Sequence, residues 1–189
     1  MKELSLNLLD IAENSVKAGA TLTQLLLNET DTALTMTVED DGCGMTEETV
    51  KRVADPFYTT RTTRSVGLGL PLLRLEAEQT GGRLEITSRH QEAYPDCHGT
   101  RVTAVFCTDH IDCPPLGDVI STVVTLIQGH PNTDFLFRHC RPIGEPIELD
   151  TRELRQILGE EVPLDSYDVL QWIQGYLQEA YEAEPQADV

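Results

Sequence analysis

Apolar positions recur at helical spacing through Leu4, Leu8, Ile11, Ala12 and Ser15 and stop at Ala18-Gly19-Ala20, which predicts an amphipathic helix over residues 3–18 closed by glycine. Its polar face includes Asp10, Asn14 and Lys17. Two β-rich runs follow, Thr23 to Asn28 and Leu34 to Glu39, and the polar turn NETDT between them predicts a hairpin packed on that helix. A glycine loop, DDGCGM, ends the second run. Thr46 before two glutamates, with Lys51-Arg52 behind, reads as a short capped helix whose charges match its dipole. The stretch DPFYTTRTTRS has no regular period, and Gly67-Leu68-Gly69-Leu70 then opens an apolar helical run to Thr80, with Pro71 in its first turn. Gly81-Gly82 stops it, and Arg83 to Ser88 and Arg101 to Cys107 read as two more strands joined by the polar insert RHQEAYPDCHG. Helix and strand thus alternate around one mixed sheet.

The pattern changes after Cys107. HIDCPPLGD reads as a proline-marked linker, and Val119, Ile120, Val123, Val124 and Ile127 form a new helical stripe. DFLFRHC and PIELD read as short strands, TRELRQIL as a short helix, and Ser166 to Ala183 as a longer one with Val169, Ile173, Leu177 and Ala180 on one side. Residues 1–107 and 108–189 are therefore expected to form a main domain and a small C-terminal α/β appendage, suited to partner binding or dimerisation.

The 189 residues are 40% hydrophobic and 24% charged, enough apolar material for one sizeable core. Lys plus Arg number 14 against 32 Asp plus Glu, a formal charge of −18. That balance disfavours nucleic acid or an anionic membrane as a general partner, so a polyanionic ligand needs a local site of backbone N–H groups, a metal ion and a few cations. No apolar run approaches the roughly 20 residues that span a bilayer, and Glu3, Asp10 and Glu13 stand where a secretory signal is uncharged; a cytoplasmic location is expected. The five cysteines, with no CxxC pair, indicate neither a disulfide framework nor a zinc ribbon.

Three elements carry candidate chemistry. Asp10, Asn14 and Lys17 project from one face of the first helix: an amide oxygen and a carboxylate can share a magnesium ion, and Lys17 can neutralise a phosphate. An ordinary solvated helix face has the same composition. Asp40-Asp41-Gly42-Cys43-Gly44 combines a carboxylate able to accept from an exocyclic amine with glycines that let backbone approach a planar ring, as a plain tight turn also does. Gly67 and Gly69 open a helix, where free N–H groups and the dipole favour an anion.

In order and spacing these elements resemble the nucleotide site of the GHKL superfamily, which comprises gyrase, heat-shock chaperone ATPases, histidine kinases and MutL. DIAENSVKAGAT resembles the N-box, DDGCGM the G1 box, DPFYTTRTTRSVGLGL an F-box with ATP lid and G2 box, and HGTRVTAVF the final GT strand. The resemblance covers roughly residues 3–107. It implies an α+β fold, a two-layer Bergerat-type sandwich of a mixed sheet with helices on one face, and Mg-ATP as ligand. It further implies Asn14 as magnesium ligand, with Asp10 as either general base or second magnesium contact. Asp40 would read adenine, Gly42 and Gly44 line its pocket, Gly67 and Gly69 flank the phosphates, and Thr100 support the base. Lys17 matches the histidine-kinase N-box lysine, and Arg61 stands where similar lids carry a γ-phosphate lysine. Phe57 falls to lid packing, and the loop from Phe57 to Val66 is expected to order with the γ-phosphate.

Departures from the family shape the functional expectation. The N-box lies near the first residue, and no histidine sits on an amphipathic helix in a phosphoacceptor motif, so a stand-alone form without a phosphoacceptor domain is expected. Residues 108–189 are shorter than, and differently patterned from, the transducer domain of gyrase and MutL. The resemblance then implies an ATP-dependent protein kinase acting in trans on a protein partner, of anti-sigma serine kinase or histidine kinase-like type. The alternative is an ATP-gated switch or slow ATPase that binds its partner according to nucleotide state. A homodimer is among the expected assemblies. MKELSLNLLDIAENS is also similar to stand-alone GHKL proteins often encoded beside iron-only hydrogenase genes, which implies a partner rather than a reaction.

Overall fold

The computed structural model describes residues 3–53, 69–159 and 161–183. In chain order the elements are α1 (Leu4–Lys17), β1 (Leu22–Glu29), β2 (Ala33–Asp40), α2 (Glu47–Val53), α3 (Gly69–Gln79), β3 (Arg83–Arg89), β4 (Gly99–Cys107), α4 (Val119–Gly129), β5 (Asp134–Cys140), β6 (Ile147–Asp150), α5 (Thr151–Leu158) and α6 (Tyr167–Glu182). The strands form one mixed sheet in the order β3-β4-β2-β1-β5-β6, in which β1 and β5 are parallel and the other neighbours antiparallel. This is the expected α+β sandwich.

Alternation along each strand sends every second side chain to the helices. In register across the sheet, Leu84, Ala104, Met36, Leu27, His139 and Ile147 form one row, and Ile86, Val102, Val38, Leu25, Phe137 and Leu149 the next. Helices α1, α3, α4 and α6 cover these rows with Leu8, Ile11, Leu73, Val123, Leu126, Ile173 and Leu177 in the same core. The opposite face carries Thr35, Thr37, Thr103, Arg138 and Glu148, all half-buried or exposed. Local signals end the elements as expected: Gly19 takes φ 76° behind α1, Thr46 Oγ1 accepts from Thr49 N at 3.2 Å at the start of α2, and the Asp118 carboxylate accepts from Ser121 N at 2.9 Å to cap α4.

Residues 108–183 build no second sheet among the described residues. β5 pairs along the free edge of β1, β6 follows at the outer edge, and α4 packs beside α1, so the expected appendage extends the first sheet and closes the same core. The proline linker is tied down as well: Leu4 N donates to Pro115 O at 3.0 Å and Ser5 N to Leu116 O at 2.8 Å. No helix among the described residues is long and apolar enough to cross a membrane.

His139 is the buried exception in its row, 2% exposed. Its Nδ1 lies 2.7 Å from the Tyr181 hydroxyl and its Nε2 3.4 Å from the Glu29 carboxylate. Burial pushes the Tyr181 phenol up, so the hydroxyl keeps its proton and shares a hydrogen bond with Nδ1. Burial lowers the His139 pKa; Glu29 opposes this and Arg141 adds to it. Because the unfolded chain then binds the extra proton more readily, stability is complete above the ordinary histidine value of 6.5 and falls as pH drops below it. Urea unfolding across that value should show this slope, and His139→Gln should flatten it; an equal slope in the variant would assign the effect to other groups.

Candidate functional site

At one end of the sheet the apolar rows give way to a polar one. Ser88, Thr100, Asp40 and Thr23 stand in register on the helix-facing side, beneath the C-terminal half of α1. The Asp40 carboxylate accepts from Ser15 Oγ at 2.7 Å, from Gly42 N at 3.0 Å and from Thr100 N at 3.3 Å. Ser88 Oγ donates to Gly99 O at 3.0 Å and accepts from Met45 N at 2.7 Å. The first three bonds join α1, β4 and the glycine loop around the one carboxylate of β2, and those of Ser88 tie β3 to the end of that loop and to β4.

Asp41 is turned the other way by the pleat. Its carboxylate accepts from Thr21 N at 2.7 Å, from Leu22 N at 2.9 Å and from Thr21 Oγ1. Burial raises its pKa, yet the bonds from Leu22 and Thr21 outweigh that and hold it below the usual carboxylate value. Of the two adjacent aspartates, one fastens the loop to β1 and the other faces the helix.

The glycine loop follows a narrow path. A Cβ on Gly44, which has φ 67°, would meet Arg89 O at 2.0 Å, and one on Gly99, with φ 137°, would meet Asp40 O at 2.0 Å. Gly42 sits against Ala18 and the Asp40 carboxylate, with room only for a contact of 3.0 Å. The loop is braced by Cys43 N donating to Ala18 O at 2.9 Å, by Gln91 N donating to Cys43 O at 2.9 Å and by His98 Nδ1 donating to Gly42 O at 2.6 Å.

Between α1, the loop and the sheet lies a cavity of about 240 Å³. Asn14, Lys17, Asp40, Gly44 and Thr100 all line it, while Ile11, Val53, Leu70 and Val102 supply apolar walls. One carboxylate at an apolar slot, with an amide and a cation on the adjoining helix, suits a flat heterocycle bearing an anionic group. Asp10 and Gly69 do not line this cavity and instead adjoin each other: a Cβ on Gly69 would lie 3.6 Å from the Asp10 carboxylate, where α3 begins. Lys17 Nζ stands 3.9 Å from Glu13, whose other oxygen is 2.7 Å from His130 Nε2. Arg61, Gly67 and the expected lid from Phe57 to Val66 lie outside the described residues.

Sequence reasoning missed Ser15, Ser88, Gly99 and His98. The dipeptide Gly99-Thr100 within the strand motif is a signal for Gly99; the two serines carry none, because only the α1 contact brings Ser15 to Asp40 and only strand register brings Ser88 to Thr100.

The model of the histidine kinase-, DNA gyrase B- and HSP90-like ATPase family matches residues 1–110. The chain belongs to that family. Among curated proteins it is similar to the tetrathionate sensor histidine kinase TtrS of Salmonella typhimurium, 31% identical over 99 residues that cover 52% of this chain and 16% of that one. It is also similar to sporulation kinase A of Bacillus subtilis, 28% identical over 92 residues, or 49% and 15% of the two chains. The chain thus corresponds to a small part of these kinases. Among solved structures, the MutL ATPase domain of Aquifex aeolicus complexed with ADP superposes with a TM-score of 0.52 at 11% identity, covering 98% of this chain and 99% of that one. The N-terminal domain of a DNA repair protein gives 0.56 at 13% identity, over 85% and 58%. At such identities the likeness is one of fold.

Proposed function

We propose that the chain is an Mg-ATP-binding regulatory protein that phosphorylates a protein partner in trans. The observation that carries this reading is the convergence of Asn14, Lys17, Asp40 and Thr100 on one cavity with apolar walls. Adenine fits the slot: the Asp40 carboxylate accepts from an exocyclic amine, Thr100 backs it, and Gly44 leaves room for the ring. Asn14 would hold magnesium, which would supply charge neutralisation across the phosphates, and Asp10, one helical turn away, is either its second ligand or the general base. Lys17 neutralises a phosphate as a point charge, and the N–H groups at the start of α3, beside Asp10, favour the same anion. As general base, Asp10 would orient the attacking hydroxyl of the partner and accept its proton while the hydroxyl oxygen bonds to the γ-phosphorus and the bond from that phosphorus to the leaving ADP breaks.

A second reading has its own observation. Asp10 lies against Gly69 at the opening of α3 rather than in the cavity, which suits a carboxylate that responds to nucleotide and passes this to the following elements. In that reading the protein is an ATP-gated switch.

Calorimetry should find ATP bound only with magnesium and preferred to GTP, because the guanine carbonyl would face the Asp40 carboxylate. Equal binding of the two nucleotides would remove the adenine assignment. Incubation with labelled ATP and a partner captured from native extract should label the partner; a partner retained only with ATP yet never labelled would sink the kinase and leave the switch.

A further inference from the structure

The face of the sheet turned away from the helices holds a second cavity, of about 480 Å³, at the same end as Asp40. Thr87, Arg101 and Glu39 stand in register across β3, β4 and β2 and alternate with Ser88, Thr100 and Asp40, so they project from the opposite face and line this cavity. Arg89 and His98 also line it, as do Asp40, Ser88 and Thr100.

Its charge runs against that of the chain. In a molecule of formal charge −18, two arginines line this cavity together with two carboxylates, Glu39 on their own face of the sheet and Asp40, whose side chain turns to the helices. Arg101 Nη2 donates to Glu39 at 2.6 Å. Arg89 takes part in no ion pair among the described residues; its guanidinium stands over the Tyr94 ring, 5.9 Å from the centroid. That contact uses none of the guanidinium N–H groups as hydrogen-bond donors to an oxygen, and their fork matches the paired oxygens of a carboxylate or phosphate.

We propose that this cavity binds a small molecule bearing an oxyanion, a phosphate ester or a carboxylate, with Arg89 and Arg101 as its cationic ligands and Thr87 as a hydroxyl donor. The volume suits a small ligand rather than a folded partner. The site also lies back to back with the first cavity: Asp40 and Thr100 line both, and His98, on the wall of the second, holds Gly42 O at 2.6 Å. An occupant therefore presses on the same strand segments and glycine loop that shape the first cavity, and any coupling between the two ligands must be reciprocal. The oxyanion site itself does not depend on the nucleotide reading.

Amide NMR titration of the full chain with phenyl phosphate and, separately, succinate tests this. Saturable shifts at Arg89, His98 and Arg101 are expected with at least one probe; phenyl phosphate alone would identify a phosphate-ester site, and succinate alone a carboxylate site. Asn14→Ala, at the first cavity, should leave these shifts unchanged, which separates this test from that of nucleotide binding. The double variant Arg89→Gln/Arg101→Gln should weaken binding at least tenfold, the scale of one lost charged hydrogen bond. Arg89→Lys, which keeps the charge and loses the fork, should weaken it several-fold. Shifts that never saturate, that fall only at Asn14, Lys17 and Gly69, or that persist with equal affinity in both variants would overturn the proposal.

Discussion

Asp10→Asn is expected to slow phosphoryl transfer to the partner about a hundredfold or more, the usual scale for a general base, while ATP affinity stays within a few-fold. Asparagine keeps the size of the side chain and one acceptor oxygen at its place beside Gly69, so magnesium and nucleotide can still be held. What it cannot do is take the proton of the attacking hydroxyl. Binding and chemistry then separate, a behaviour that single-turnover labelling read beside calorimetry would resolve. If affinity and turnover instead fall together, Asp10 serves magnesium rather than the proton. If neither changes, Asp10 has no part in the site, and its place at the opening of α3 is a matter of helix charge alone.

Asp40→Asn is expected to cost ATP about 2 kcal/mol, roughly thirtyfold in affinity, with the fold intact. In the native protein the carboxylate accepts from Ser15, Gly42 and Thr100. Asparagine can reproduce this internal pattern, with its carbonyl oxygen toward the two backbone N–H groups and its amide donating to Ser15 Oγ. It then has no oxygen to spare for an exocyclic amine, and an N–H faces the purine where an acceptor is required. Calorimetry with ATP and GTP, beside thermal unfolding followed by circular dichroism, distinguishes the outcomes. An unchanged ATP affinity would remove Asp40 from adenine recognition. A loss of affinity matched by a large fall in unfolding temperature would make Asp40 a residue of the loop, not of the ligand.

The local elements and their amphipathic faces follow from short-range pattern along the chain. Period 3.6 along Leu4, Leu8 and Ile11 and period 2 along Leu34, Met36 and Val38 both arise from backbone geometry that acts over a few residues, so α1 and the β1–β2 hairpin are legible directly. The order of the motifs was likewise sufficient for the family, and Asn14, Lys17, Asp40, Gly44 and Thr100 do meet in one cavity. Other features arise only once the strands pair and the helices pack on them. Asp40 and Asp41 are chemically equal neighbours, and only the pairing of β2 with β1 and β4 fixes which of them faces the helices. Ser15 and Gly99 reach Asp40 across 25 residues or more of chain, a separation over which no periodic signal survives. The C-terminal strands show the same limit: DFLFRHC reads as a strand from its composition, but its parallel place beside β1 rests on burying Phe135 and Phe137 under helices drawn from both halves of the chain. Such a choice belongs to the packing of the whole core and has no local counterpart in the sequence.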